Sequence, residues 1–313
     1  MKFTQIIPAN TNFDFIGKFK FSGPLSVLLV LGGITLMLTK GFNFGIDFTG
    51  GTVVQAKFAE PTTAEAIRNM VTELGEKESS VVAIGTTKQE FLITVRTVKE
   101  TTDVQPLDAR LVNKVGKDKI EILQVDIVGP KVGEELKNAA ILSLFYSLIL
   151  IMIYIWLRFD LKFAPGATIA LAHDLVFVAG FYVVTGREFT IAAVAALLTT
   201  AGYSVNDTII IYDRARELTS KGNIQLPIGD TLNRAINATL SRTILTSGLT
   251  ALSILPIIFF CTGELNSFAD AMMVGLFVGT YSTIFIAAPF TVLFQRFLDR
   301  KQPTRGKRRT ASA

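Results

Sequence analysis

The sequence predicts an α-helical polytopic membrane protein, with six transmembrane helices and a small α+β domain inserted after the first of them. Three observations predict it. Half of the 313 residues are apolar and only 18% are charged, against roughly 25% charged residues in soluble domains. The apolar residues gather into long uncharged runs instead of spreading along the chain. One stretch, Gly41 to Asn138, instead reads like an ordinary soluble domain.

The runs lie at Pro24 to Leu38 (extendable to Phe44 past Lys40), Ala139 to Leu157, Phe163 to Val184, Thr190 to Ile211, Thr243 to Cys261 and Ala271 to Phe294. Most match the ~20 residues that cross ~30 Å of hydrocarbon at 1.5 Å per residue. The first is short enough to resemble a signal peptide. It follows a long polar arm and lacks a small-residue cleavage site before Lys40-Gly41-Phe42, so it is expected to stay as an anchor. The expected divisions are an N-terminal arm over 1–23, a first span over 24–44 and an external domain over 45–133. Five further spans follow over 134–295, with a cytoplasmic loop at 212–242, and a basic tail closes the chain over 296–313.

Lysine and arginine near span ends stay on the cytoplasmic side. With six spans, Lys2, Lys18 and Lys20 share one face with Arg158, Lys162, Arg214, Arg216, Lys221, Arg234 and Arg242. The tail, with Arg300, Lys301, Arg305, Lys307, Arg308 and Arg309, joins them, while the opposite short loops hold only Arg187. Both termini are therefore expected in the cytoplasm and the inserted domain outside. The basic tail suits anionic lipid headgroups, and no nucleic acid partner is expected.

Within the insert, Thr52 to Phe58 alternates as a strand, and Thr62 to Leu74 has helical spacing, with Thr62 and Glu65 forming a capping box. Val81 to Ile84 and Phe91 to Val98 read as strands, Pro106 to Val115 as a helix and Ile120 to Val128 as a last strand. That β-α-β-β-α-β order is the ferredoxin-like pattern, four antiparallel strands with both helices on one face. Gly129, Pro130 and Gly133 mark the return to the membrane and suggest a hinge.

Several chemistries are excluded. Cys261 is the only cysteine and His173 the only histidine, so an intramolecular disulfide and Cys-based or His-rich metal sites are ruled out. No Walker A loop or glycine-rich dinucleotide fingerprint occurs, so work must come from something other than bound ATP, and no cofactor is expected.

Ionisable groups in lipid cost about 2.5 to 3.5 kcal/mol each and mark functional positions. Thr200, Ser204, Asn206 and Asp207 place a carboxylate among hydroxyls and an amide in the fourth run, about 9 Å deeper than Asp213. Arg242 opens the fifth run from the same side and can reach toward Asp207. A carboxylate moved into and out of reach of a guanidinium can load and release a proton; the same groups can also ligate sodium. His173 and Asp174 lie near the middle of the third run; adjacent on a helix, they point about 100° apart and are expected to serve different neighbours. A proton-pathway or helix-coupling role is expected of Asp174. Gly275 and Gly279 form a small-residue stripe for close helix packing.

Four segments, taken together and in order, resemble the SecF family, the smaller subunits of bacterial SecD/SecF protein-export complexes. They are Phe44-Gly45-Ile46-Asp47-Phe48-Thr49-Gly50-Gly51, Val128 through Leu136, Ala201 through Glu217, and Ser241 through Ser247. The resemblance implies one half of a resistance-nodulation-division type membrane fold in the bacterial inner membrane. It implies SecD and the SecYEG translocon as partners, with YidC and YajC as further candidates and unfolded secreted polypeptides as the cargo. It also implies use of the proton-motive force, with Asp207 and Arg242 matching charged residues of the proton path. A non-conducting scaffold subunit and a small-molecule efflux component are the alternatives.

Overall fold

The computed structural model describes residues 11–76, 79–84, 88–96, 105–159, 162–221 and 226–301. Lys2 and the tail cations beyond position 301 lie outside the described residues, so the expectations for them are not taken further.

Six helices are long and apolar enough to cross a membrane. The first, α1 (Phe19–Thr39), begins before the expected Pro24 and ends ahead of Gly41. After it come a one-turn helix α2 (Ile46–Thr49) and then β1 (Gly51–Phe58), α3 (Ala64–Glu73), β2 (Ser79–Ile84), β3 (Glu90–Val95), α4 (Leu107–Val115) and β4 (Ile120–Val128). The sheet order is β2-β3-β1-β4 with every neighbouring pair antiparallel, the ferredoxin-like topology. Its core follows from strand alternation: Val54, Ala56 and Phe58 of β1 and Phe91, Ile93 and Val95 of β3 point to one face. Ile67 and Val71 of α3 and Leu107 and Leu111 of α4 close over them.

The capping box at Thr62 and Glu65 does not form. Thr63 is the N-cap, its Oγ1 accepting from Ala66 N at 3.2 Å. Moving the cap by one residue puts alanine where the glutamate would have to reciprocate.

The remaining spans are α5 (Pro130–Arg158), α6 (Ala164–Thr185), α7 (Ile191–Lys221), α8 (Ile228–Phe260) and α9 (Gly263–Ser282), the last continuing through a π-helical turn, Thr283–Ala287, into α10 (Ala288–Lys301). Leu28 and Leu31 of α1 and Ile141, Leu142, Phe145 and Leu150 of α5 are exposed, as lipid-facing side chains must be. The central layer is α6, α7 and α9. The cytoplasmic loop expected over 212–242 is instead mostly two helical extensions, α7 running to Lys221 and α8 starting at Ile228. Buried Tyr212, Ala215, Leu232, Ala235 and Ile236 explain this, because they continue the bundle core beyond the apolar runs. The N-terminal arm docks on the second extension. Asn237 Oδ1 accepts from Phe13 N and Asn233 Oδ1 from Phe15 N, both at 2.9 Å, and both amides donate back to Phe13 O.

The two ends of the inserted domain meet at its base. A Cβ on Gly50 would lie 2.8 Å from Pro130 Cα, and one on Gly133 would lie 3.0 Å from Gly50 N, so α2 and the start of α5 touch backbone to backbone. Gly129 alone of the expected hinge residues has open space beside it; Pro130 and Gly133 belong to this packed contact.

Gly51 has φ +149°, and a Cβ there would lie 2.5 Å from Val95 O. Gly51→Ala should therefore destabilise the inserted domain by about 2 to 3 kcal/mol. Thermal unfolding of the purified protein should show an early transition in the domain while the helical signal of the bundle persists.

Candidate functional site

Asp174 of α6 has no exposed surface. Its Oδ2 accepts from Ser204 Oγ of α7 at 2.5 Å and from Ser282 Oγ of α9 at 2.7 Å. Its Oδ1 takes the third contact, His173 Nδ1 at 2.9 Å. His173 and Asp174 thus serve each other, against the expectation of separate neighbours. Side-chain torsion covers the 100° step between adjacent helical positions. With the proton on Nδ1, as an accepting carboxylate requires, Nε2 is a buried atom with no hydrogen-bond partner among the described residues. The imidazole instead lies beside Phe177 and Tyr281.

The approach of α9 to α7 is set by glycine. A Cβ on Gly275 would overlap Thr200, and one on Gly279 would sit 3.1 Å from Ser204 Cβ. That spacing lets Ser282 reach Asp174. One turn further along α7, away from the inserted domain, Thr208 Oγ1 meets Thr283 Oγ1 at 3.1 Å, and Thr283 opens the π-helical turn. Such turns free local backbone geometry and recur at functional positions. Thr200 is also buried, its hydroxyl against Met272 Sδ.

Asp207 is treated differently. It is 1% exposed, and neither carboxylate oxygen has a hydrogen-bond partner among the described residues. It shares the i+4 row with Tyr203, whose hydroxyl meets Thr250 Oγ1 of α8 at 3.3 Å, so it faces α8. Arg242 of α8 is exposed and makes no ion pair with it. The reach of Arg242 toward Asp207 does not close into a hydrogen bond. Thr243, next to Arg242, is buried, and its hydroxyl has no hydrogen-bond partner among the described residues. Asn206 is exposed, contrary to a place inside the bundle: it follows Ala195, Thr199 and Gly202 along the outer face of α7. That stripe is small and polar where α1 and α5 present leucine, isoleucine and phenylalanine.

At the end of the bundle next to the inserted domain, Asp47 Oδ2 accepts from Ile191 N, the first residue of α7, at 2.9 Å. Arg187 pairs with Asp270 and donates to Asn266 Oδ1 at 3.0 Å. Glu188 lies beside this group, and burial pushes its carboxyl up, with Arg96 opposing and Asp47 adding to the rise. No group of three or more metal-ligating side chains occurs among the described residues.

Thus Asp174, His173, Ser204 and Thr200 come together around α6, α7 and α9, whereas Asp207, Asn206 and Arg242 stand apart from that cluster. Ser282 and Thr283 were not anticipated. Their signal was Thr280-Tyr281-Ser282-Thr283, a hydroxyl cluster in the middle of an apolar run.

Comparison with known proteins agrees over nearly the whole chain. Residues 108–296 match the family described as protein export membrane protein SecD/SecF, C-terminal, and residues 35–62 match the SecD/SecF GG motif. The chain is 38% identical over 307 residues to protein translocase subunit SecF of Calditerrivibrio nitroreducens, covering 96% of this chain and 99% of that one. It is 36% identical to protein translocase subunit SecDF of Thermus thermophilus, over 90% of this chain and 38% of that one. The crystal structure of Thermus SecDF, described as a translocon-associated membrane protein, is similar with a TM-score of 0.82 at 35% identity, over 93% of this chain and 40% of that one. SecDF in a super-membrane-facing form gives 0.69 at 36% identity.

Hydrogen bonds to a charged group contribute about 1.5 to 3 kcal/mol. Ser204→Ala and Ser282→Ala should each lower stability by about 2 kcal/mol, while the exposed Ser253→Ala should change it by less than about 0.5 kcal/mol. Thermal unfolding in detergent measures all three, and the double serine variant should be non-additive because both donors share one oxygen.

Proposed function

The chain belongs to the SecD/SecF family of protein-export membrane proteins, and from that premise we propose that it couples an ion gradient to export through Asp207, in partnership with a SecD subunit. The observation that carries this reading is the buried carboxylate of Asp207 with both oxygens unpaired. Such a group is costly in hydrocarbon unless it acquires a proton, a cation or a donor. The chain offers none of these within hydrogen-bond reach among the described residues. Arg242 lies one residue from the buried Thr243 on the facing helix, placed to approach or withdraw as α7 and α8 shift.

The small, polar outer face of α7 supports a second subunit as the missing neighbour. Ala195, Thr199, Gly202 and Asn206 make poor lipid contacts but good close helix contacts. The fused SecDF relative is more than twice as long as this chain, which leaves room there for a second half. The working assembly pairs this chain with SecD in the inner membrane, both termini cytoplasmic and the inserted domain outside. Together they draw on the proton gradient, with sodium the alternative ion, to assist chains leaving the SecYEG channel. The charge bias of the loops supports the orientation.

In Asp207→Asn, expression and co-purification with SecD should stay normal while gradient-dependent export falls at least about tenfold, the loss of one essential proton-transfer group. Wild-type export in that variant would leave only a scaffold role. Replacing sodium in the medium identifies the ion. Gly202 has nothing within 4 Å of an added Cβ, so Gly202→Trp should leave the isolated chain folded and reduce SecD recovery at least about tenfold. Full recovery would move the subunit contact elsewhere.

A further inference from the structure

Among the contacts between the base of the inserted domain and the membrane bundle, one is made by a single carboxylate at a helix start. The first N–H groups of a helix have no partner within it. In α7, Ala193 N and Val194 N are satisfied by Thr190 O. Ile191 N is satisfied by Asp47, 144 positions away in sequence, whose carboxylate also sits at the positive end of the helix dipole. The cap is therefore a crosslink between two parts of the fold.

Neighbouring contacts hold the same two segments. Gly45 N donates to Phe189 O at 3.0 Å and Phe189 N to Asn43 O at 2.7 Å, so residues 43–45 pair with the strand-like entry to α7. Phe189 packs against Phe44, Phe48 and Tyr182. On the domain side, β1 starts two residues after Thr49, with Gly51 pressed against Val95 O. Arg96, just past β3, donates to Asn43 Oδ1 at 2.8 Å and Phe44 O at 3.1 Å. From Ile191, α7 runs without proline for 16 positions to Asp207, about 24 Å along a helix.

We propose that Asp47 is a positioning residue that fastens the base of the external domain to the outer end of α7, so that domain and helix move as one body. Its importance for export rests on the reading that α7 carries the ion-coupling carboxylate. The linkage itself does not.

The test uses the full chain with its SecD partner in lipid nanodiscs and reads two quantities. Hydrogen exchange over residues 189–196 reports the cap. Spin labels at Glu65→Cys on α3 and Arg216→Cys on α7, in a Cys261→Ser background, report the spread of distances between domain and helix. Asp47→Ala should speed exchange about tenfold and broaden the distance distribution about twofold, since an unfastened domain samples more positions. Asp47→Asn keeps an acceptor oxygen and should stay near wild type. Ile191→Pro removes the donated N–H at a helix position that tolerates proline, and should reproduce the broadening even if Asp47→Ala fails to accumulate.

Faster exchange with an unchanged distance distribution would reduce Asp47 to a local cap and overturn the proposal. So would wild-type behaviour of both Asp47→Ala and Ile191→Pro. Neither readout involves export, so wild-type export in Asp207→Asn would remove the ion-coupling role of α7 and leave the linkage standing.

Discussion

Asp174 sits in α6 with no surface exposed, and a carboxylate in that position must be hydrogen-bonded by its own protein because hydrocarbon supplies no donors. Ser204 and Ser282 meet it from two other helices, and that requirement fixes how close α7 and α9 come. Gly275 and Gly279 permit the approach, and the interruption of the last span at Thr283–Ala287 begins immediately after Ser282. The central layer of the bundle is arranged around one satisfied charge.

Asp207 shows the opposite arrangement on the same helix. It lies three residues from Ser204 and is nearly as buried as Asp174, yet it has no hydrogen-bond partner among the described residues. One carboxylate organises the helices and the other is left available. A group held in place by three contacts makes a poor ion carrier, because each release must break all of them. An unbonded one can change partners at lower cost.

Much of this was legible in the residues. The six apolar runs, the ferredoxin-like order of the insert, the glycine stripe of α9 and the placement of Asp174 and Asp207 within membrane helices all follow from hydropathy, alternation and the cost of charge in lipid. What was not legible depends on tertiary pairing. The capping of α7 by Asp47 joins positions that no periodicity relates, and the docking of Phe13 and Phe15 on Asn233 and Asn237 does the same. The extensions of α7 and α8 were hidden because their buried faces alternate with Arg214, Arg216 and Arg234, a pattern that hydropathy reads as a loop. Asn206 lies on the outer face for a related reason: residues adjacent in sequence point about 100° apart on a helix, and Asp207 took the inward direction.

The chain leaves the bundle for the inserted domain and returns to it at nearly one point, where Gly50 and Gly133 bring α2 and α5 into backbone contact. An insertion whose ends nearly coincide places few demands on its host. The domain is modular: strands or whole subdomains can be added beyond its edge strands, β2 and β4, without lengthening or re-aiming a membrane helix, provided the glycine junction and the Asp47 cap are kept. In this architecture a change in the size or surface of the inserted domain need not disturb the six-helix frame and its two buried carboxylates.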